Sequence, residues 1–116
     1  MTQFGFRKAE RLLKRREFLA VSKDARRRFE TENFLILLRP NQLPQTRLGV
    51  TVTKKVGPAA VTRNRIKRQV REFFRLNKEA LPPGQDVLVI AHRGATGLNH
   101  HLVQEELKVL VNRPLH

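Results

Sequence analysis

Residues 63–78 read RNRIKRQVREFFRLNK, and the rest of the chain is organised around them. The stretch contains no Gly or Pro, and its apolar residues recur with helical spacing. At about 100° per residue, Ile66, Val70, Phe73 and Phe74 share one face. Lys67, Arg68, Arg71, Arg75 and Lys78 share a neighbouring face with Asn64. The pattern predicts a helix that buries one side and presents a cationic strip on another. Helices that are merely soluble mix charges to gain i,i+4 pairs, whereas this strip carries a single acid, Glu72. An anionic partner is the reading that accounts for it.

The expected start of the helix points the same way. With Thr62 before the first turn, Arg63 and Arg65 stand at the positive end of the helix dipole, where cations are mildly destabilising. Arg65 also stands where a capping box would need Glu or Gln. A bound phosphate would offset both features. Lys54 and Lys55 precede the helix, set apart from it by a Gly57-Pro58 turn.

Composition bounds the function class. The 116 residues carry a formal net charge of +14 with 40% hydrophobic residues, so one folded domain spanning 1–116 is predicted, with residues 1–10 as a basic lead-in in which Phe4 and Phe6 are the only anchors. A field of that sign attracts polyanions, nucleic acid first. No apolar run is long enough to span a membrane. The N-terminus lacks a continuous apolar segment of the secretory type, so a cytoplasmic location is expected. The absence of cysteine removes disulfides, thiolate catalysis and Cys-based zinc sites.

Along the chain, Arg11–Ser22 reads as an amphipathic helix with Leu12, Leu13, Phe18, Leu19 and Val21 as its apolar set. Residues 25–30, with Arg26, Arg27 and Arg28 in succession, read equally as a short edge strand or a loop. Asn33–Arg39 is a strand apolar on both sides. Phe34, Ile36 and Leu38 face one way by parity, and Leu35 and Leu37 the other. Arg47–Lys54 is a second strand, with Leu48, Val50 and Val52 opposed to Gly49, Thr51 and Thr53. Leu81–Gly84 is a break, Asp86–His92 a third strand, and residues 94–97 a Gly-containing loop. Asn99 caps a last helix to about Val111, with Leu102, Val103, Leu107 and Leu110 as its buried stripe. The fold class is α+β: a single-layer mixed sheet with packed helices.

The residues that do chemistry in hydrolases are scattered. Asp24 and Asp86 fall in different elements, and no pair of carboxylates has the spacing of a two-metal site. Of the histidines, His100 and His101 open a helix, His116 is terminal, and His92 closes a strand. Ser22 has no partner that would make it a nucleophile. No catalytic residue and no metal ligand is assigned. The chain reads as a supplier of binding and electrostatics.

The segment RLGVTVTKKVGPAAVTRNRIKRQVREFFR closely resembles the signature of the bacterial ribonuclease P protein subunit. That signature is a strand ending in paired lysines, a Gly-containing turn, and R-N-R-x-K-R-x-x-R on a helix. Lys54, Lys55, Gly57, Arg63, Asn64, Arg65, Lys67, Arg68 and Arg71 fulfil it here. The N-terminal RLLKRREF matches the family's R-L-x-x-x-x-[DE]-F through Arg11, Leu12, Glu17 and Phe18. The resemblance covers about residues 10–111.

The resemblance implies the element order αβββαβα, similar to a ribosomal-protein domain, with a left-handed β-α-β crossover through the central helix. It implies a ribonucleoprotein whose large RNA carries the catalytic site and its magnesium ions, with no cofactor bound by the chain itself. The partners it implies are that catalytic RNA and precursor tRNA, whose 5′ leader is removed, and neither membrane nor DNA. Lys54, Lys55, Arg63, Asn64, Arg65, Lys67, Arg68, Arg71 and Arg75 are the implied contacts to RNA. Arg11, Phe18, Leu35, Leu37 and Thr51 are the implied contacts to the leader. Members of the family often carry further aromatics at the positions of Ser22 and Leu37, so the stacking surface here is smaller. The segment between Lys55 and Arg63 is one residue longer than in many members. The rival readings are a ribosomal or RNA-assembly protein on a related fold, a DNA-binding module, and an autonomous nuclease. Only the first resemblance accounts for both the RLxxxxEF and the RNRxKRxxR segments.

Overall fold

The structure, a computed structural model, describes residues 10–12, 14–56 and 59–112. The Gly57-Pro58 turn, Leu13, Phe4, Phe6 and His116 lie outside the described residues. The elements are α1 (Arg15–Asp24), β1 (Arg27–Glu30), β2 (Phe34–Pro40), β3 (Arg47–Thr51), α2 (Ala60–Leu76), β4 (Gln85–Ala91), α3 (His100–Leu107) and α4 (Val109–Asn112). Short 3-10 turns, Lys78–Ala80 and Arg93–Gly97, follow α2 and β4. The four strands form one sheet in the order β1-β2-β4-β3. β2 is antiparallel to β1 and β4, and β3 runs parallel to β4, so α2 is the crossover between a parallel pair.

The parity expected of β2 holds. Phe34, Ile36 and Leu38 are fully buried with Leu48, Val50 and Val52 of the β3 segment beneath Ile66, Val70, Phe73 and Phe74 of α2. Val103 and Leu107 of α3 and Leu110 of α4 complete that core. Leu37 and Leu88 look the other way, under α1, with Leu12 and Val21. Each large apolar side chain so buried contributes about 1.5–3 kcal/mol, and the two clusters together explain why neither face of β2 tolerates charge at these positions.

Several boundaries differ from the sequence reading. α2 begins at Ala60, and no acid stands in its first turn; Arg63, whose N–H donates to the Ala59 carbonyl, closes that turn, and Arg65 lies in the next. Ala60 and Val61 join the helix because nothing in them favours a stop, which moves both arginines inward from the helix start and weakens the expected conflict with the dipole. The helix ends at Leu76. The Asn77 side chain donates to the Phe73 carbonyl at 2.8 Å, and Lys78 stands in the next turn, paired with Glu10 at 2.8 Å. α1 begins at Arg15, where the Glu17 side chain accepts from the Lys14 N–H at 2.9 Å. Arg11 and Leu12 are extended, and the Leu12 N–H donates to the Leu48 carbonyl along the β3 edge. β3 stops at Thr51, before the turn at 54–56. Residues 27–30 are an edge strand, and 93–97 form a 3-10 turn. The last helix breaks at Lys108, and Leu102 is exposed, leaving Val103, Leu107 and Leu110 as its buried stripe. Leu19 is likewise exposed.

One ion cluster fastens α1 to the sheet. Arg47 donates to both oxygens of Asp86 at 2.8 and 2.7 Å and to Glu17 at 2.9 Å. The Asp86 side chain is 3% exposed, and Asn41 donates to it at 2.9 Å. Hydrogen bonding to Asp86 is the main cause that raises the Arg47 pKa above its ordinary value. Asp86 is thereby a structural residue, and removing it alone would leave Arg47 with Glu17 as its remaining carboxylate partner, at a cost of about 1–3 kcal/mol.

Gly49 lies directly beneath α1. A Cβ at that position would stand 2.6 Å from the Phe18 ring and 2.9 Å from Leu12. Gly49→Ala should therefore lower stability by about 1–3 kcal/mol through overpacking, read from urea melts. In a Phe18→Ala background the added cost should shrink to less than half. Equal costs in both backgrounds would show that Phe18 is not seated on Gly49.

Candidate nucleic-acid interface

The alternation of β2, β3 and β4 arranges three rows across the α1 side of the sheet. Arg39, Asp86 and Arg47 align in the first, Leu37, Leu88 and Gly49 in the second, and Leu35, Ile90 and Thr51 in the third. The ion cluster occupies the first row. Phe18, Leu12 and Val21 cover the second. The third is only half covered: Leu35, Ile90 and Thr51 are all partly exposed, as is Phe18. Of the residues assigned to the leader, Phe18, Leu35 and Thr51 thus share an accessible strip, whereas Leu37 is 7% exposed and forms its floor.

Arg11 is not on that strip. It adjoins Leu12 in an extended segment, so its side chain points to the opposite face. There it lines a depression of about 350 Å³ with Asn64, Arg68, Arg71, Glu72 and Arg75 of α2. Arg71 is exposed by area, yet its charged end is drawn against the protein. Burial, and then the charge of Arg11, lower its pKa from the ordinary value. Two elements therefore aim like charges into one hollow, an arrangement that phosphate relieves.

The other cations extend this face. Arg68 is exposed, and Arg63 and Lys67 are partly so. Lys54 and Lys55 are exposed in the turn after β3. Arg75 is engaged by Glu72 at 2.9 and 2.5 Å. The Arg65 guanidinium donates to the backbone carbonyls of Thr96 and Leu98 at 2.6 and 3.3 Å. A second hollow of about 330 Å³, at the C-terminal end of α2, is lined by the Glu10–Lys78 pair, Phe74, Leu81 and two prolines. Among the described residues Lys78 is its one basic lining residue.

Among the described residues no three His, Asp or Glu side chains converge as metal ligands, and no helix is long and apolar enough to cross a membrane. Asp24 is exposed beside Arg39 at 4.0 Å, and His92 pairs with Glu30 at 3.1 Å. The sequence reading missed the role of Glu17, whose place in RLxxxxEF is the available signal, and the separation of Arg11 from Phe18. The latter follows from strand parity once residues 11–12 are extended.

A small α+β domain with a cationic helix on one side of its sheet and a half-open apolar strip beside an aromatic ring on the other defines a nucleic-acid-binding protein. The Ribonuclease P family profile matches residues 6–114. The ribonuclease P protein component of Citrifermentans bemidjiense is 47% identical over 97% of this chain and 95% of its own length. That of Syntrophus aciditrophicus is 43% identical over 97% and 93%. Among solved structures, a ribonuclease P protein from Thermotoga maritima superposes with a TM-score of 0.81 at 38% identity, covering 90% of this chain and 100% of that one. One from Staphylococcus aureus gives 0.81 at 32% identity, covering 89% and 93%. The chain belongs to the ribonuclease P protein family. It is the RNA-binding protein component of that tRNA-processing endoribonuclease.

Among the described residues Glu72 is the acid that lines the cationic hollow, and its carboxyl is held below the ordinary range, first by hydrogen bonding to Arg75. Because the folded value is depressed, the pair is intact at neutral pH and is lost only as pH falls through that lowered value. Glu72→Gln at neutral pH should free Arg75 and steepen log K against log salt for RNA by up to about 0.7–0.9. An unchanged slope would place Arg75 outside the interface.

Proposed function

We propose that the two faces of the sheet divide the labour of ribonuclease P. The α2 face, with Arg11, Arg63, Asn64, Lys67, Arg68, Arg71 and Arg75, binds the catalytic RNA. The strip of Phe18, Leu35 and Thr51 over Leu37 receives the 5′ leader of precursor tRNA. The observation that carries this reading is the difference in kind between the faces. One is a rigid array of cations, suited to backbone phosphate and indifferent to sequence. The other is apolar with an accessible aromatic, suited to unpaired bases.

The protein's part is positioning. Holding the leader on one face while the other is fixed to the RNA sets the scissile phosphate relative to the RNA's reactive groups, which converts a loose encounter into an oriented one. Among the described residues no three His, Asp or Glu side chains gather as metal ligands, and this reading gives the chemistry and its magnesium to the RNA. The cytoplasm, where precursor tRNA is matured in bacteria, is the proposed location.

Two experiments test this. Asp24→Ala and His92→Ala, each in assembled enzyme, should leave the chemical step within a few-fold, and a loss of several orders of magnitude would put a reacting group in the protein. Phe18→Ala should leave assembly with the RNA nearly intact. It should weaken a precursor with a leader of several nucleotides by about 1–3 kcal/mol and barely affect one whose leader is too short to reach the strip. Equal weakening of both precursors would remove the leader from this face.

A further inference from the structure

The rows that cross the α1 side of the sheet run on into β1. Glu30 pairs with Leu35 and Arg28 with Leu37, and paired residues of neighbouring strands point to the same face. The third row therefore reads Glu30, Leu35, Ile90, Thr51. Glu30 stands at the β1 end of the half-open strip, three strand spacings or about 14 Å from Thr51. Its side chain is 53% exposed. Arg28, at the β1 end of the second row, is exposed beside it.

The carboxylate is held in place. His92 continues the pairing of β4 with β2, because its N–H donates to the Asn33 carbonyl at 2.8 Å, and its Nε2 stands 3.1 Å from one oxygen of Glu30. The Arg28 guanidinium lies 3.8 Å from the other. Asn33 is in turn fixed by Glu106 of α3, which accepts from its N–H at 2.9 Å. A carboxylate has about four acceptor sites, so both oxygens can still accept. An acid at the end of a strip that receives RNA repels phosphate, but it matches the N–H groups of base edges. Guanine fits it best, since the N1–H and the N2 amino group of its Watson–Crick edge can donate side by side to both oxygens. Adenine and cytosine set an amino donor beside an acceptor, and the imino N–H of uracil lies between two carbonyls. An unpaired base in a leader has that edge free.

We infer that Glu30 is a specificity-determining residue of the strip, which accepts from the Watson–Crick edge of an unpaired guanine in the 5′ leader. This rests on the reading of the strip as the leader's site. Arg28 and His92 orient the carboxylate. The row ends at Glu30, because β1 is the edge of the sheet, so a single leader position is read.

The test uses the assembled enzyme and a set of precursors whose long leader is uridine throughout except for one guanine, stepped along it from one precursor to the next. Equilibrium binding at fixed salt should favour guanine over uridine by about five-fold or more at one position, the lower end for a bidentate contact to a base. Glu30→Gln and Glu30→Ala should each cut that preference to less than about two-fold and leave the other positions as they were. The absence of a guanine-preferring position, or a preference that survives both variants, would overturn the proposal. So would an equal tightening of every precursor, which would make Glu30 only a neutraliser of Arg28 and His92. Failure of both variants to fold would overturn it too, by making Glu30 a support of β1. Phe18→Ala in the same assay separates this inference from the reading beneath it. If Phe18→Ala weakens long-leader and short-leader precursors equally, the strip is not the leader's site. If it weakens only the long-leader precursors while the Glu30 variants leave base preference untouched, the inference about Glu30 alone fails.

Discussion

Everything in this fold depends on how the two faces of one sheet are covered. β2 and β4 are apolar on both sides, so both faces must be shielded from water. The 17 residues of α2, with α3 and α4, close one face completely. The ten residues of α1 cannot do the same for the other. They bring Phe18 and Val21 over the middle row and leave Leu35, Ile90 and Thr51 half open. An accessible apolar strip is the consequence of a short helix on a sheet that needs a longer one. The opposite exterior is set by the outward side of α2, which carries cations because its inward side is spent on the core.

The placement of α1 is therefore the controlling detail, and three interactions fix it. Glu17 caps the helix and meets Arg47, which is held by Asp86 on the neighbouring strand. Phe18 rests on Gly49, the one residue small enough to admit the ring. Leu12 pairs its backbone to Leu48 and buries its side chain. The RLxxxxEF segment thus resolves into parts: Leu12 and Glu17 hold the helix, Phe18 borders the open strip, and Arg11 is turned to the far side of the sheet, into the hollow with Arg68 and Arg71. A single motif serves both faces because extended backbone alternates its side chains.

Much of this was legible beforehand. The helical spacing of Ile66, Val70, Phe73 and Phe74 located the core side of α2, and the alternation at 34–38 and 48–52 assigned both sheet faces correctly. Helix starts were less legible. Ala60 and Val61 carry no cap signal, and whether 11–14 is helical depends on a pairing with β3 that local propensity does not record. The exposure of Leu102 and the break at Lys108 depend on how α3 lies against α2, which is tertiary information. The same holds for Arg65, whose bonds to the carbonyls of Thr96 and Leu98 come from a segment remote in sequence.

The central claim is that the two faces meet different RNAs, and the absence of cysteine in the chain permits a direct measurement. A photocrosslinker attached through Val61→Cys, at an exposed site on α2, or through Ser22→Cys, at an exposed site on α1, reports on one face at a time. The account predicts that the Val61 probe crosslinks to the catalytic RNA whether or not substrate is present. The Ser22 probe should crosslink to the 5′ leader, and only when a precursor with a long leader is added. Crosslinking of the Ser22 probe chiefly to the catalytic RNA, or of both probes to the same strand, would contradict it.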